Sequence, residues 1–453
     1  MHMLDKFKTA GSGLAHKALG GAKKVSTKAS TKVATTLRAR AQKQNEEYLV
    51  ALDIGTEFVK ALVGKVDKAA GTIEVIGVGR AHQSLSDMQA GAISDIAAVV
   101  ENCDKALSAA EAEAGVSVRS AIIGIAGELV KGTTTTVRVA RKNPTTPLDV
   151  TEMEKIINLV QARAEKRAKQ QLAWELGGKS VEVRLVNSAL VSIEIDGYPV
   201  TNPIGFQGKD VVVQLYTAFA PLIHIGALEK TAQELDLDLL AVAAEPFAVA
   251  RAVIGNNPNQ NLSAILMDVG GGTTDIAVVN DGGVQGTKMF GIGGRAYTRA
   301  IERDLSVEFD QAEQLKLSLG TNKIPAQKRS ALEEALGKTA DTWLSGVELA
   351  LAEFTKLDHL PHRIFLCGGG ASLDLLMSRL KTDWYKNLPF TRQPIVNFIR
   401  PDQVAGVSDT TGKITDHTFI TAMGLLRVGM DTLQFSSGAS GSIRDKIDKM
   451  LSV

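Results

Sequence analysis

The sequence predicts an α/β protein built from two duplicated halves that face each other across a cleft. Two observations lead there. A strand–turn–strand unit with an Asp-x-Gly turn occurs twice, as Asp53-Ile54-Gly55-Thr56 and as Asp268-Val269-Gly270-Gly271-Gly272-Thr273-Thr274. The chain is also rich in glycine (42 residues) and poor in aromatics (5%), which suits tight phosphate-binding turns better than a surface for stacking bases. At 453 residues, 44% hydrophobic and 22% charged, it has ordinary globular composition and the length of two or more folding units. A net charge of +1 gives no reason to expect a polyanionic partner, and no nucleic acid is expected. Cys103 and Cys367 are too far apart in sequence for a metal-ligand spacing, so a reducing compartment is the default. The most apolar stretch, 237–255, is interrupted by Asp238, Glu245, Pro246 and Arg251, so no membrane span is expected.

Residues 1–46 read as a basic, mobile extension. The first 45 carry ten Lys/Arg and a single acid, Asp5. Order is expected to begin at Tyr48–Leu52, with further strands at Val59–Val66 and Ile73–Val78 forming a meander. Asp95–Ala114 has helical spacing. Strand patterns follow at 121–126 and 133–140, then a charged helix from Met153 to Leu176, with Asp149 placed to cap it. Val181–Val186, Val191–Ile195 and Asp210–Tyr216 read as three more strands. On this basis 88–208 is an inserted α+β domain, and 47–87 with 209–259 make the first half. Leu222–Leu235 reads as a helix and 239–243 as a strand. The second half, 260–433, restarts the opening pattern with strands at Leu262–Met267 and Ile276–Asn280. Helices fill 295–357, including a short helical subdomain at about 307–361. A strand at Ile364–Leu366 runs into Gly368-Gly369-Gly370, and a last helix covers Phe419–Met430. Residues 434–453 read as a linker and tail.

The second Asp-x-Gly copy carries the clearest chemistry. A strand delivers Asp268 to its end, and three glycines bend the backbone so that successive N–H groups form an anion nest. Thr273 and Thr274 add hydroxyls. An acid beside such a nest implies a cation between acid and anion, and Mg²⁺ suits a carboxylate plus phosphate oxygens. The same segment also reads as a Gly-rich hairpin whose turn Asp268 pins. In the first copy, Lys60 lies four residues beyond Thr56, within reach of a phosphate, or else is a solvated strand lysine. Cys367-Gly368-Gly369-Gly370-Ala371 closes a strand and opens a helix, where backbone can approach a flat ligand, or is an ordinary strand–helix turn. Glu313 and Lys316 share a helix face at i, i+3, as a surface ion pair would.

In order along the chain, Asp53-x-Gly55-Thr56, Glu245-Pro246, Asp268-x-Gly270-Gly271-Gly272-Thr273, Glu313-x-x-Lys316 and Gly368-Gly369-Gly370-Ala371 resemble the actin/Hsp70 ATPase fold. Within that fold, Ala51–Thr56, Ile73–Gly79, Ile123–Gly127 and Asp268–Ala277 resemble the bacterial cell-division family FtsA over roughly 48–430, with the insertion standing where that family carries a small SHS2-like α+β domain. The resemblance implies ATP and Mg²⁺. It assigns Asp53, Gly55, Thr56 and Lys60 to a first phosphate loop and Asp268, Gly270, Gly271, Gly272, Thr273 and Thr274 to a second. Gly293, Gly294, Glu313, Lys316, Gly368, Gly369, Gly370 and Ala371 complete the nucleotide site, Asp53 and Asp268 reach Mg²⁺ through water, and Glu245 orients an attacking water. It further implies at most slow ATP hydrolysis, filaments of the chain itself on the cytoplasmic face of the membrane, and a tubulin-like FtsZ partner. The short helical 307–361 region departs from that family and resembles the pilus protein PilM, whose adaptor role is the alternative. A small-molecule kinase of the same superfold is a third reading, and no acceptor-site signature supports it.

Both ends read as membrane contacts. Leu4, Phe7, Leu14, Ala18 and Val25 fall on one side of a helical wheel, with Lys6, Lys17, Lys23 and Lys24 away from its centre. Ile443, Ile447, Met450 and Leu451 form a second, shorter apolar stripe beyond a Ser/Gly-rich linker at 435–441. An anionic membrane surface is the expected partner of both.

Overall fold

The computed structural model describes residues 48–254, 262–319 and 326–436. The N-terminal extension, both tail helices and nearly all of the linker lie outside the described residues. From Leu49 onward the chain forms one compact unit.

Two sheets repeat one topology. In the first, β1 (Tyr48–Ile54), β2 (Phe58–Asp67) and β3 (Thr72–His82) form an antiparallel meander. After a small hairpin, β4 (Met88–Gln89) and β5 (Ala92–Ile93), helix α1 (Ile96–Ala114) packs on β2 and β3. Strand β6 (Ser120–Ile125) then runs parallel to β1. In the second sheet, β12 (Ala264–Val269), β13 (Thr274–Asn280) and β14 (Gly283–Phe290) make the same meander, and β15 (Arg363–Cys367) runs parallel to β12. Outermost lie β11 (Asp238–Ala244) beside β6 and β16 (Ile395–Phe398) beside β15. The orders β11-β6-β1-β2-β3 and β16-β15-β12-β13-β14 are therefore one pattern used twice. β1 and β12 are buried along nearly their whole length, as central strands covered on both faces must be.

The inserted unit is smaller and later than its sequence pattern suggests. β6 lies inside the first sheet, so α1 and β6 belong to the first half and the expected boundary at 88 is too early. The unit comprises β7 (Lys131–Ala140), α2 (Val150–Glu175), β8 (Val183–Ile195), β9 (Tyr198–Pro199) and β10 (Asp210–Pro221). β10 pairs with both β7 and β8, so it belongs here rather than to the first half. Two expected strands at 181–186 and 191–195 are one strand, β8. Its pairing with β10 shifts register twice, and those irregularities break the alternation a sequence pattern relies on. Asp149 caps α2 by accepting from the Glu152 amide. Met153, Ile157 and Val160 of α2 pack over Val137, Val211 and Val213 of the sheet, giving the unit its own core.

Helix α3 (Leu222–Glu234) leads to β11, and α4 (Glu245–Ile254) follows β11 directly. The second half carries α5 (Gly294–Leu305), α6 (Phe309–Leu317) and α7 (Ala326–Ala352) on its meander, with Trp343, Val347 and Leu336 buried against Met267, Ile276 and Tyr297. α8 (Asp374–Leu380) follows β15. The second half ends before 433: β17 (Val407–Asp409) pairs with β3, and α9 (Ile420–Ser436) packs along α4. Arg251 of α4 pairs with Asp431 of α9 at 2.6 Å.

Candidate functional site

The duplicated topology places two similar turns opposite each other. At the end of β1 the Gly55 amide donates to Phe58 O (3.2 Å), and at the end of β12 the Gly270 amide donates to Thr273 O (2.9 Å). Among the described residues, the Gly271 and Gly272 amides have no protein acceptor, which leaves them available as anion donors. Both turns border one cleft of about 700 Å³, lined also by Lys60, Glu245, Glu313, Lys316 and Gly368–Gly370. Residues from 53 to 370 that share no local sequence thus meet on one surface.

The cleft floor is acidic. Asp53, Asp268, Asp275 and Glu245 are all buried. Lys60 reaches back from β2 to Asp53 Oδ2 at 2.9 Å. Burial opposes its charge, yet Asp53, Asp268 and Glu245 together hold it above the usual lysine range. Burial, then Asp53, Asp275 and Asp268, push Glu245 well above the usual carboxylate range. Burial and then Asp268 do the same to Asp275, whose Oδ1 has no partner. Asp268 is raised chiefly by burial, although Thr421 of α9 donates to it. One ammonium does not neutralise this set. A cation is the natural complement, and an oxygen-seeking ion such as Mg²⁺ fits the donors. Among the described residues no three His, Cys, Asp or Glu converge as a closed metal cage, so Asp53 and Asp268 would hold such an ion together with water or a ligand's oxygens.

Glycine is required where loops stack. Gly293 precedes α5, and a Cβ there would lie 2.6 Å from Gly270 O. A Cβ on Gly370 would lie 2.7 Å from the same oxygen. The Gly294 and Arg295 amides donate to Gly270 O (2.9 Å) and Gly271 O (2.7 Å), tying the start of α5 to the second turn. Gly272 and Gly293 therefore shape the turns from behind rather than forming the cleft surface. Two expected site residues face elsewhere. Thr274 is fully buried, donating to Ile292 O (2.7 Å) and accepting from Trp343 Nε1 (2.9 Å). Its position starts β13, where alternation turns it into the core. Ala371 likewise packs in the core of the second half. Glu313 and Lys316 form an ion pair at 2.7 Å, but on the cleft wall: Lys316 Nζ also donates to Thr298 Oγ1 (2.8 Å) and Gly294 O (3.1 Å).

Sequence patterns missed the residue that joins the walls. Arg295, on the second half, pairs with Glu57 of the first turn at 2.6 Å and donates to Gln83 O at 3.2 Å. A cation in the first turn of a helix opposes the helix dipole, and that local conflict in Gly293-Gly294-Arg295 was the available signal. Thr421 enters through long-range packing of α9, which no local motif encodes, whereas Glu57 and Asp275 directly follow the two turns and were passed over.

A family model described as "Cell division protein FtsA" matches residues 265–424, from β12 into α9. The protein of that name from Pseudomonas aeruginosa is 26% identical over 421 residues, covering 88% of this chain and 93% of that one. The one from Bacillus subtilis is also 26% identical, over 279 residues, and this chain spans 59% of its length. Among solved structures, the PilM–PilN type IV pilus biogenesis complex aligns with a TM-score of 0.59 at 16% identity, over 84% of this chain and 98% of the other. That likeness establishes a shared fold. The chain has the actin-like ATPase fold and is a relative of the cell division protein FtsA.

Proposed function

We propose that this chain is an ATP-binding, actin-like cell-division protein that assembles on the cytoplasmic face of the membrane and tethers a tubulin-like FtsZ partner. The observation that carries the nucleotide part is the pairing of two Asp-bearing glycine turns, one from each half, on a cleft whose buried acids exceed their cations. In this reading the free Gly271 amide, on the cleft wall, takes phosphate oxygens. Lys60 adds a point charge. Asp53 and Asp268 hold Mg²⁺ through water, and the ion neutralises phosphate charge when bound. Glu313 and Lys316 stand beside the ribose and base, and Gly368 to Gly370 let the backbone approach the nucleoside. Glu245, whose carboxyl burial and then Asp53 push well above the usual range, stands at the first half's helix start, a position from which it can orient water; turnover in this reading is slow at most. Nucleotide bridging both walls biases the angle between halves, because its contacts differ with that angle.

Asp268→Ala is expected to weaken Mg-ATP binding at least a hundredfold in isothermal titration while leaving the thermal midpoint unlowered. Equal affinity in the variant would remove Asp268 from the site. Division is separated from a pilus adaptor role by capture from native lysate, scored for FtsZ against pilus membrane proteins. The adaptor reading draws on the all-helical run from α5 to α7, with no strand among its described residues. Recovery of pilus components without FtsZ would replace the division reading by it.

A further inference from the structure

A second, chemically distinct cavity lies away from the nucleotide cleft. It has a volume of about 540 Å³ and sits where the inserted unit meets the second half. Its walls come from three elements: Thr135 and Thr136 on β7, Arg163, Lys166 and Arg167 on α2, and Lys356 in the segment after α7. The α2 residues are spaced i, i+3, i+4, so the three cations share one face, while the opposite face of the helix packs on its sheet.

No carboxylate lines this cavity. Among the described residues, Arg163, Lys166, Arg167 and Lys356 form no ion pair. Several acids close by in sequence pair elsewhere, Glu165 and Glu182 with Lys169, Glu175 with Lys131 and Glu353 with Lys288, and Asp358 does not line the cavity. Lys356 is held in place by donating to Thr134 O at 3.1 Å. Burial, and then the adjacent Arg167, lower its proton affinity. A separate observation also points to a ligand. Thr135 is buried on the β7 face that turns toward α2, and its hydroxyl has no partner. A buried hydroxyl without a hydrogen bond is costly unless something arrives to satisfy it.

We propose that this cavity binds a phosphoryl-bearing anion, clamped between the inserted unit and the second half by Arg163, Lys166, Arg167 and Lys356 with the Thr135 hydroxyl as a further donor. Guanidinium forks, ammonium charges and a hydroxyl approaching from three elements match an oxyanion that accepts from several directions. The lining holds no aromatic ring, so the charge is recognised and not a base. The ligand crosses the seam where β14 meets β7 through two residue pairs, Gly286 with Thr133 and Thr287 with Gly132, and so fastens a short joint. This inference is independent of what fills the nucleotide cleft.

Inorganic pyrophosphate in magnesium-free buffer is the probe, titrated into the full-length chain. Wild type and Asp268→Ala are expected to bind it alike. The double variant Arg163→Gln/Arg167→Gln, and Lys356→Gln separately, are expected to bind at least tenfold more weakly with unchanged circular dichroism. Thr135→Val removes the hydroxyl and no charge, and is expected to lose severalfold in affinity without loss of thermal stability. Flotation with phosphatidylglycerol vesicles is the second arm. Flotation lost in the double variant, in a protein that does not take up free pyrophosphate, places the phosphoryl group on a lipid and supports the site. Equal pyrophosphate binding and equal flotation of the double variant and wild type overturn it, as does equal affinity for malonate, which lacks phosphoryl oxygens.

Discussion

At the scale of single residues, the acids of the cleft dominate. Glu245, Asp268 and Asp275 are raised above their ordinary values mainly by burial. The folded protein therefore holds more protons than the unfolded chain between about pH 4, the ordinary carboxylate value, and the raised values. In that window the slope of unfolding free energy with pH is negative, so stability falls as pH rises. The nucleotide-free protein is expected to melt at a higher temperature at mildly acid pH than at mildly alkaline pH. Glu245→Gln keeps the shape and removes the charge, so it should flatten this dependence and raise the midpoint on the alkaline side. A variant that melts lower than wild type at every pH would refute this account of the cluster. Asp409 and Asp416 act in the other direction: burial opposes their charge, but hydrogen bonds from Thr411 and Thr418 outweigh it and lower both. Their contribution is lost only below the ordinary carboxylate range, so the two effects do not overlap. Asp53, Lys60 and Asp268 were legible in sequence because each sits in a short motif whose spacing carries its chemistry. Arg295 was not, because its partner Glu57 lies 238 positions away.

At the scale of elements, the turns read well and the edges did not. Asp-x-Gly turns, the Asp149 cap and the long helices were visible because capping and turn chemistry are local, whereas the cap that Asp95 supplies to α1 was not singled out. Strand β14, with glycine at Gly283 and Gly286 and polar Gln285 and Lys288, lacks the apolar run that marks a strand. Short β16 and β17 are defined by their neighbours and not by their own composition. The glycine-rich turn after β15 supports a sharp contrast. A Cβ at Gly370 meets Gly270 O and Val269, whereas one at Gly369 meets nothing within 4 Å. Gly370→Ala should cost about 2 kcal/mol in urea unfolding, within the usual penalty for overpacking. Gly369→Ala should be neutral in the same measurement. Equal costs would mean that the turn does not stack on the second hairpin as described.

At the scale of the whole molecule, duplication was legible because the Asp-x-Gly unit appears twice, but the placement of the inserted unit was not. Its chain leaves and re-enters the first half, while its sheet continues that of the second, and pairing between distant strands has no sequence signature. If the chain assembles into filaments, pelleting should increase with ATP and increase again with anionic vesicles. Deleting residues 1–45 and 441–453 together should abolish the vesicle increment and spare the ATP increment. Persistently monomeric protein under both conditions would remove the filament reading.

The inserted unit also grips the first half. Asn187 Oδ1 accepts from the Ala244 amide at 2.7 Å, and Tyr216 stacks on Phe247 of α4 with ring centres 5.5 Å apart. A body fastened to both jaws works as a strut. The halves cannot swing apart like a clamshell while each fastening holds, so any wide opening must first shear one of them. One of them is the β14–β7 joint, whose two residue pairs are reinforced by Thr134 Oγ1 donating to Val284 O at 2.7 Å, so torque about the cleft is carried by a short paired seam before it reaches either sheet.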